Sequence, residues 1–208
     1  MTNEELLEIF EVKGLYRHDK DKDIKFRDVL EIKKKRDGRD SVDLMVVMMN
    51  PGSSEPENGN YNGEFTLAKP DDTQYQIMKV MCESEFKYAR IVNLSNIIES
   101  KSSCFYKWIN KNQEKYSIFD KDSELHKPEF HKQIVKGVPY ILAWGVNYSL
   151  RFLAKSALNL LQDENKFFIP KREGKEFQYY HPYQRYQSKR DEWVTEIVKQ
   201  LKSRKSPK

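Results

Sequence analysis

Cysteine is scarce. The 208 residues hold two, Cys82 and Cys104. That excludes a disulfide framework and any four-cysteine zinc or iron–sulfur pattern, and it suits a reducing compartment. Histidine is scarce as well: there are four, and only His126 and His131 lie close in sequence, so no zinc site is expected. No apolar run approaches the roughly 20 residues that span a bilayer. The opening stretch "MTNEELLEIF" is acidic and amphipathic, unlike a secretory leader. No glycine-rich loop with a lysine follows any apolar segment, which argues against a phosphate-cradling NTPase. Ser53 and Ser54 lie outside a nucleophile-elbow pattern. These absences predict a cytoplasmic chain with no metal, no cofactor and no membrane contact.

What is present is charge and clustered apolar sequence. Charged residues make up 33% of the chain, hydrophobic ones 38%, and the mean hydropathy is −0.84. The apolar residues fall in blocks, so the pattern is that of a folded protein with a very polar surface. The net charge of +5 is uneven. From Arg151 onward there are 14 Lys and Arg against 7 Asp and Glu, while the first 150 residues are slightly acidic. A basic C-terminal part suits an anionic partner, and a lysine-rich solubilising surface accounts for it equally well.

Periodicity orders the elements. Residues 3–10 read as a short helix. "GLYRH" and "IKFRDVLEIKKK", on either side of "DKDKD", read as a β-hairpin. "SVDLMVVMMN" is a continuous apolar run, the mark of a strand covered on both faces. A long polar loop, 52–72, follows; loops of that length are usually functional. "DDTQYQIMKVMCESEFK" opens with an N-cap signal at Asp71, Asp72 or Thr73 and continues at helical spacing. "YARIVNLSNII" is a second core strand. "SSCFYKWINKNQEKYSIF" and "ELHKPEFHKQIVKG" read as helices, and "VPYILAWG" as a third buried strand. "VNYSLRFLAKSALNLLQ" reads as a helix, "KFFIP" as a short strand, "GKEFQYYHPYQRY" as an edge strand and loop, and "KRDEWVTEIVKQL" as the closing helix. Strands alternating with helices predict a three-layer αβα fold around a mostly parallel sheet of four to five strands. One domain over residues 1–203 is expected, with 1–40 as decoration and 204–208 as a disordered tail.

In such sheets ligands sit at the carboxyl ends of the strands. Asn50 ends the first core strand in "MMNPGSS", Asn93 ends the second in "IVNLSN", and Gly145 ends the third in "ILAWGVNYSL". His181 follows the last extended segment in "YYHPYQRYQSKRDEW". Taken singly, an Asn-Pro-Gly is a turn and a His-Pro a surface bend. In this order, over roughly residues 42–200, they resemble the motifs of the uracil-DNA glycosylase superfamily. "DDT" (71–73), "VNL" (92–94) and "AWG" (143–145) are similar to motifs of a family of bacterial proteins that carry Asn-Pro-Ser near a strand end.

The resemblance implies a monofunctional DNA glycosylase, cutting the bond between deoxyribose and a flipped-out base. Asn50 would hold the attacking water. His181 would donate to the leaving base, an interaction typically worth about 3 kcal/mol. Asn93 would read the base edge, because an amide offers both a donor and an acceptor. The Gly52 and Ser53 backbone would contact the base, with Tyr61 and Phe65 as stacking candidates. Tyr183, Arg185, Tyr186, Lys189 and Arg190 interleave rings with cations, as a DNA-binding surface requires. Asn50 stands where an Asp-Pro-Tyr motif has its carboxylate, the His181 loop lacks a Ser-Pro continuation, and the loop 53–72 is long and acidic; together these point to a modified base, such as a phage-modified cytosine, and to a defence role. A monomer with DNA as partner is expected. An N-glycosidase of free nucleosides or nucleotides, and a non-catalytic DNA-binding module, stay open as alternatives.

Overall fold

The computed structural model describes residues 1–36, 40–111, 116–121 and 132–205; at 204 and 205 it describes the backbone alone. The order of elements is α1 (Asn3–Ile9), β1 (Phe10–Asp19), β2 (Ile24–Lys34), β3 (Leu44–Met48), β4 (Asn62–Leu67), α2 (Asp72–Ser84), β5 (Tyr88–Asn93), α3 (Ser102–Lys111), β6 (Tyr140–Leu142), a 3₁₀ turn (Tyr148–Leu150), α4 (Arg151–Leu160), β7 (Lys166–Phe167) and α5 (Gln187–Lys205). Among the described residues the seven strands form one sheet in the order β4-β1-β2-β5-β3-β6-β7.

The sheet is mixed, which corrects the expected mostly parallel sheet of four to five strands. β5, β3, β6 and β7 run parallel to one another. β2 joins β5 antiparallel, and β1 and β4 add two more antiparallel pairings. The expected hairpin is therefore not a decoration, because it continues the central sheet. The reason is length: β2 has 11 residues, enough for its first part to pair with β1 alone and its last part with both β1 and β5. The loop 52–72 is not structureless either. Its β4 segment pairs with β1, with Phe65 opposite Leu15.

β3 explains the layers. All five of its residues are buried. Alternate side chains of a strand point to opposite faces. Leu44, Val46 and Met48 join one core with Leu6 of α1, Ile77 and Met81 of α2, and Trp193 and Ile197 of α5. Met45 and Val47 join the other with Phe105 of α3 and Leu153 of α4. Helices thus cover both faces of the parallel half.

Local chemistry sets the helix starts. Thr2 and Glu5 close a capping box on α1. Asp71 caps α2: its Oδ1 accepts from the Thr73 and Gln74 N–H groups at 2.8 and 3.2 Å. The segment "GKEFQYYHPYQRY" forms no strand. Tyr179 makes single bridges to Gly145 and Pro170, and Pro182 has no N–H with which to extend a ladder. The helix expected over 102–119 stops at Lys111, residues 112–115 lie outside the described residues, and 116–119 are not helical. The helix expected over 124–137 falls on undescribed residues up to 131, and its described end, 132–137, is turns and bends. α5 runs on to Lys205, and residues 206–208 of the expected tail lie outside the described residues. No helix of the described residues is long and apolar enough to cross a membrane.

If β3 is packed on both faces, neighbouring positions must both be intolerant of truncation. Leu44→Ala and Met45→Ala are each expected to lower the unfolding free energy by about 2–5 kcal/mol in urea titrations. A strand with one solvated face would leave one of the two nearly silent.

Candidate functional site

A cleft of about 570 Å³ opens at the carboxyl ends of β3 and β6. Asn50, Gly52, Ser53, His181 and Tyr183 line it, so two of the sequence motifs meet in one place. A larger hollow of about 980 Å³ runs along α5 between Ile169 and Trp193, but none of the strand-end residues reaches it.

Asn50 is held by one half of its amide. Its Nδ2 donates to the carbonyls of Ile97 at 3.3 Å and Glu99 at 2.8 Å. That leaves Oδ1, an acceptor, as the half available to the cleft. Gly52 follows with φ +66°, a left-handed conformation that costs glycine nothing.

His181 is held in a corresponding way. The Tyr183 N–H donates to its Nδ1 at 3.2 Å. An accepting Nδ1 puts the proton of a neutral ring on Nε2, which becomes the donor. Burial lowers the pKa of the imidazole below its ordinary 6.5, against the opposing pull of the Asp71 carboxylate. The strap carrying the ring is tied down on both sides. The Trp144 indole N–H donates to the Phe177 carbonyl at 2.8 Å, Gln178 Nε2 donates to the Val146 carbonyl at 2.5 Å, and the Trp193 indole N–H donates to the Tyr180 carbonyl at 3.0 Å. Gly145, at φ +103°, makes the turn that receives Tyr179.

Asn93 is not part of the lining. It pairs with Met48 in the ladder, is fully buried, and neither its Nδ2 nor its Oδ1 has a partner among the described residues. Tyr61 packs edge-on against Tyr16 with the Lys25 ammonium 4.7 Å from its ring centre, also away from the cleft. Phe65 is exposed on β4. Of the basic and aromatic group, Tyr183 reaches the cleft and carries the Arg190 guanidinium 3.8 Å above its ring. Arg185 lies over Tyr186, which is exposed, and Lys189 pairs with Glu192 at 2.6 Å.

Several lining residues carry no motif signal. Arg27 is the clearest. It is 1% exposed, yet its Nε and Nη1 have no acceptor among the described residues. Burial lowers its pKa, while the Tyr16 hydroxyl beside it and the Asp71 carboxylate oppose the shift. The only hint was an Arg-Asp pair inside an otherwise apolar stretch of β2, where residues Phe26 to Leu30 are all buried. Gln74, Glu99 and Tyr106 also line the cleft without a motif signal, and Asp71 and Asp72 of "DDT" and Trp144 of "AWG" line it beside them. Beside the strap, Tyr148 and Phe152 are 57% and 55% exposed, with the Arg151 guanidinium 4.9 and 4.2 Å from their ring centres. No protein-family model matches the chain, and neither a curated protein nor a solved structure does.

Two outcomes follow from the electrostatics. Below about pH 6.5 the unfolded chain protonates its imidazole while folded His181 resists. The unfolded state then binds the extra proton, so the parent must lose stability relative to His181→Gln as the pH falls through that range, and the difference must be flat above it. Denaturant titrations of both proteins across this range check the sign. Arg27→Met removes a buried charge that lacks full compensation and keeps most of the volume, so it is expected to melt no lower than the parent, whereas Arg27→Ala melts lower.

Proposed function

We propose that the chain is a monofunctional DNA glycosylase on a uracil-DNA-glycosylase-like αβα scaffold, hydrolysing the N-glycosidic bond of a flipped-out base. One observation carries the reading. Asn50 and His181 each commit half of their polar capacity to the backbone and offer the other half, an amide oxygen and an Nε2 proton, to the same cleft. Those are the two functions the reaction needs. The sugar develops cationic character and takes up water, and the base departs with negative charge that a donor must meet. An amide oxygen orients water, and a neutral imidazole donates without needing a raised pKa.

The surroundings support a DNA substrate. Rings and guanidinium groups pair at Tyr183, which lines the cleft, with Arg190, at Tyr186 with Arg185, and at Tyr148 and Phe152 with Arg151. Exposed rings stack on unpaired bases while cations hold phosphates. The volume of the cleft lies within the range of sites for drug-sized ligands, room enough for a base that carries a substituent. Excision of such bases from invading DNA would be a defence function. A second reading, an N-glycosidase of free nucleosides, draws support from the three carboxylates in the lining, Asp71, Asp72 and Glu99, which repel phosphate.

The test is base release. Unmodified genomic DNA, uracil-containing DNA, phage DNA with modified cytosines, and the matching free nucleosides are incubated with the protein. Abasic sites are counted with an aldehyde-reactive probe, and free bases by chromatography. Release from one DNA is expected, lowered at least about 10²-fold in both Asn50→Ala and His181→Ala. Release from nucleosides alone would transfer the assignment to the second reading, and binding without release would reduce the chain to a DNA-binding module.

A further inference from the structure

We propose that Asp71 is the catalytic carboxylate of this site, supplying from the start of α2 the negative charge that the Asn50-Pro51-Gly52 turn lacks. The inference rests on the glycosylase reading.

Three carboxylates line the cleft, and their surroundings separate them. The Asp72 side chain is 56% exposed and lies 3.9 Å from Arg190 Nη1, at the rim. Glu99 folds onto its own turn, where its Oε1 accepts from the Lys101 N–H at 2.9 Å. Asp71 is fixed by the helix. Its Oδ1 takes the Thr73 and Gln74 N–H groups, and the Gln74 side chain returns a bond to the Asp71 N–H at 2.5 Å. Its other oxygen is turned toward the first motif: a Cβ built on Gly52 would lie 3.9 Å from Oδ2. The same charge acts on His181 and on buried Arg27. Asp71 therefore shares the cleft with the turn that presents the Asn50 oxygen and acts on the ring that meets the leaving base. A cap needs only one of its oxygens, and the second is left for chemistry.

The step balances as follows. The bond from C1′ to the base nitrogen breaks, and its electron pair leaves with the base, whose carbonyl oxygen accepts from His181 Nε2–H. The oxocarbenium at C1′ faces the Asp71 carboxylate. Water on Asn50 Oδ1 adds to C1′, and its proton passes to Asp71 Oδ2 and then to the departed base nitrogen. One water is consumed, an abasic sugar and a neutral base are formed, and Asp71 is ionised again.

Asp71→Asn separates the cap from the charge, because Asn caps helices as well as Asp does. Its melting temperature is expected to stay within about 2 °C of the parent. Its turnover on the DNA that the parent cleaves is expected to fall about 10²–10⁴-fold with KM little changed. Asp72→Asn and Glu99→Gln should each lower turnover less than Asp71→Asn does. Removing the Asp71 charge should also lower the His181 pKa, read by NMR titration of the ring, and Glu99→Gln should leave it in place. Near-normal turnover in Asp71→Asn, with Asn50→Ala and His181→Ala inactive, would overturn this inference and spare the glycosylase reading. A parent protein that releases no base from any DNA would overturn both. An unmoved His181 pKa in Asp71→Asn would also count against the assignment, since the carboxylate would then not face the cleft.

Discussion

The burial of β3 on both faces is the constraint from which the site follows. A strand packed between two helical layers cannot slip by one residue without turning every side chain to the wrong core. Its register is pinned by β5 on one side and β6 on the other. The point at which it leaves the sheet is therefore fixed, and Asn50-Pro51-Gly52 begins there. β6 is only three residues long, but it inherits its position from β3 and delivers Trp144 and Gly145 to the same edge. The cleft is a product of two strand ends that the core holds level.

The second constraint is how the polar groups are aimed. A side chain offered freely to a cleft has rotamers to lose when a ligand arrives. Asn50 and His181 have already lost them. Each uses one polar atom on a backbone partner and keeps the other, so the direction and the donor or acceptor character of the remaining atom are set before any ligand binds. Preorganisation of this kind, in a partly water-excluded setting, is where electrostatic groups are worth most. The strap 177–183 adds to it. It has no ladder of its own, yet two indole N–H groups and one amide fasten it to the ends of β6 and α5.

Much of this was legible in the sequence, and the reasons differ by residue. The apolar run of β3, the N-cap signal ahead of α2 and the apolar block of β6 each reflect local periodicity or capping chemistry, so they could be read directly. Asn50 and His181 were legible because they follow strand-like blocks, and strand ends gather ligand chemistry. The mixed sheet was not legible, since nothing in the composition of β2 says which strand its second half will meet. β4 was hidden in a polar stretch because an edge strand needs few apolar residues. Arg27 was hidden for the opposite reason: a charged residue in a hairpin strand reads as solvated, and only the continuation of the hairpin into the central sheet buries it. Asn93 shows the limit of strand-end reasoning, since it ends a strand and still lies outside the lining.

The distribution of charge ties the parts together. On the strap, the turn before α4 and the start of α5, cations stand at the surface, several with an aromatic neighbour. Inside the cleft the exposed charge is negative, from Asp71 and Glu99, with Asp72 at the mouth. A phosphate backbone is drawn to the first region and repelled by the second. On the proposed glycosylase reading, a nucleotide turned out of a strand would leave its phosphates on the cationic surface and send a neutral base, and a sugar that becomes cationic, toward the carboxylates. Among the described lining residues Arg27 is the one positive charge set into the wall, where Asp71 partly offsets it. Sorting by sign makes the acidic interior compatible with a nucleic-acid surface. The same carboxylates that would weaken a phosphate site suit a site where positive charge builds up on carbon.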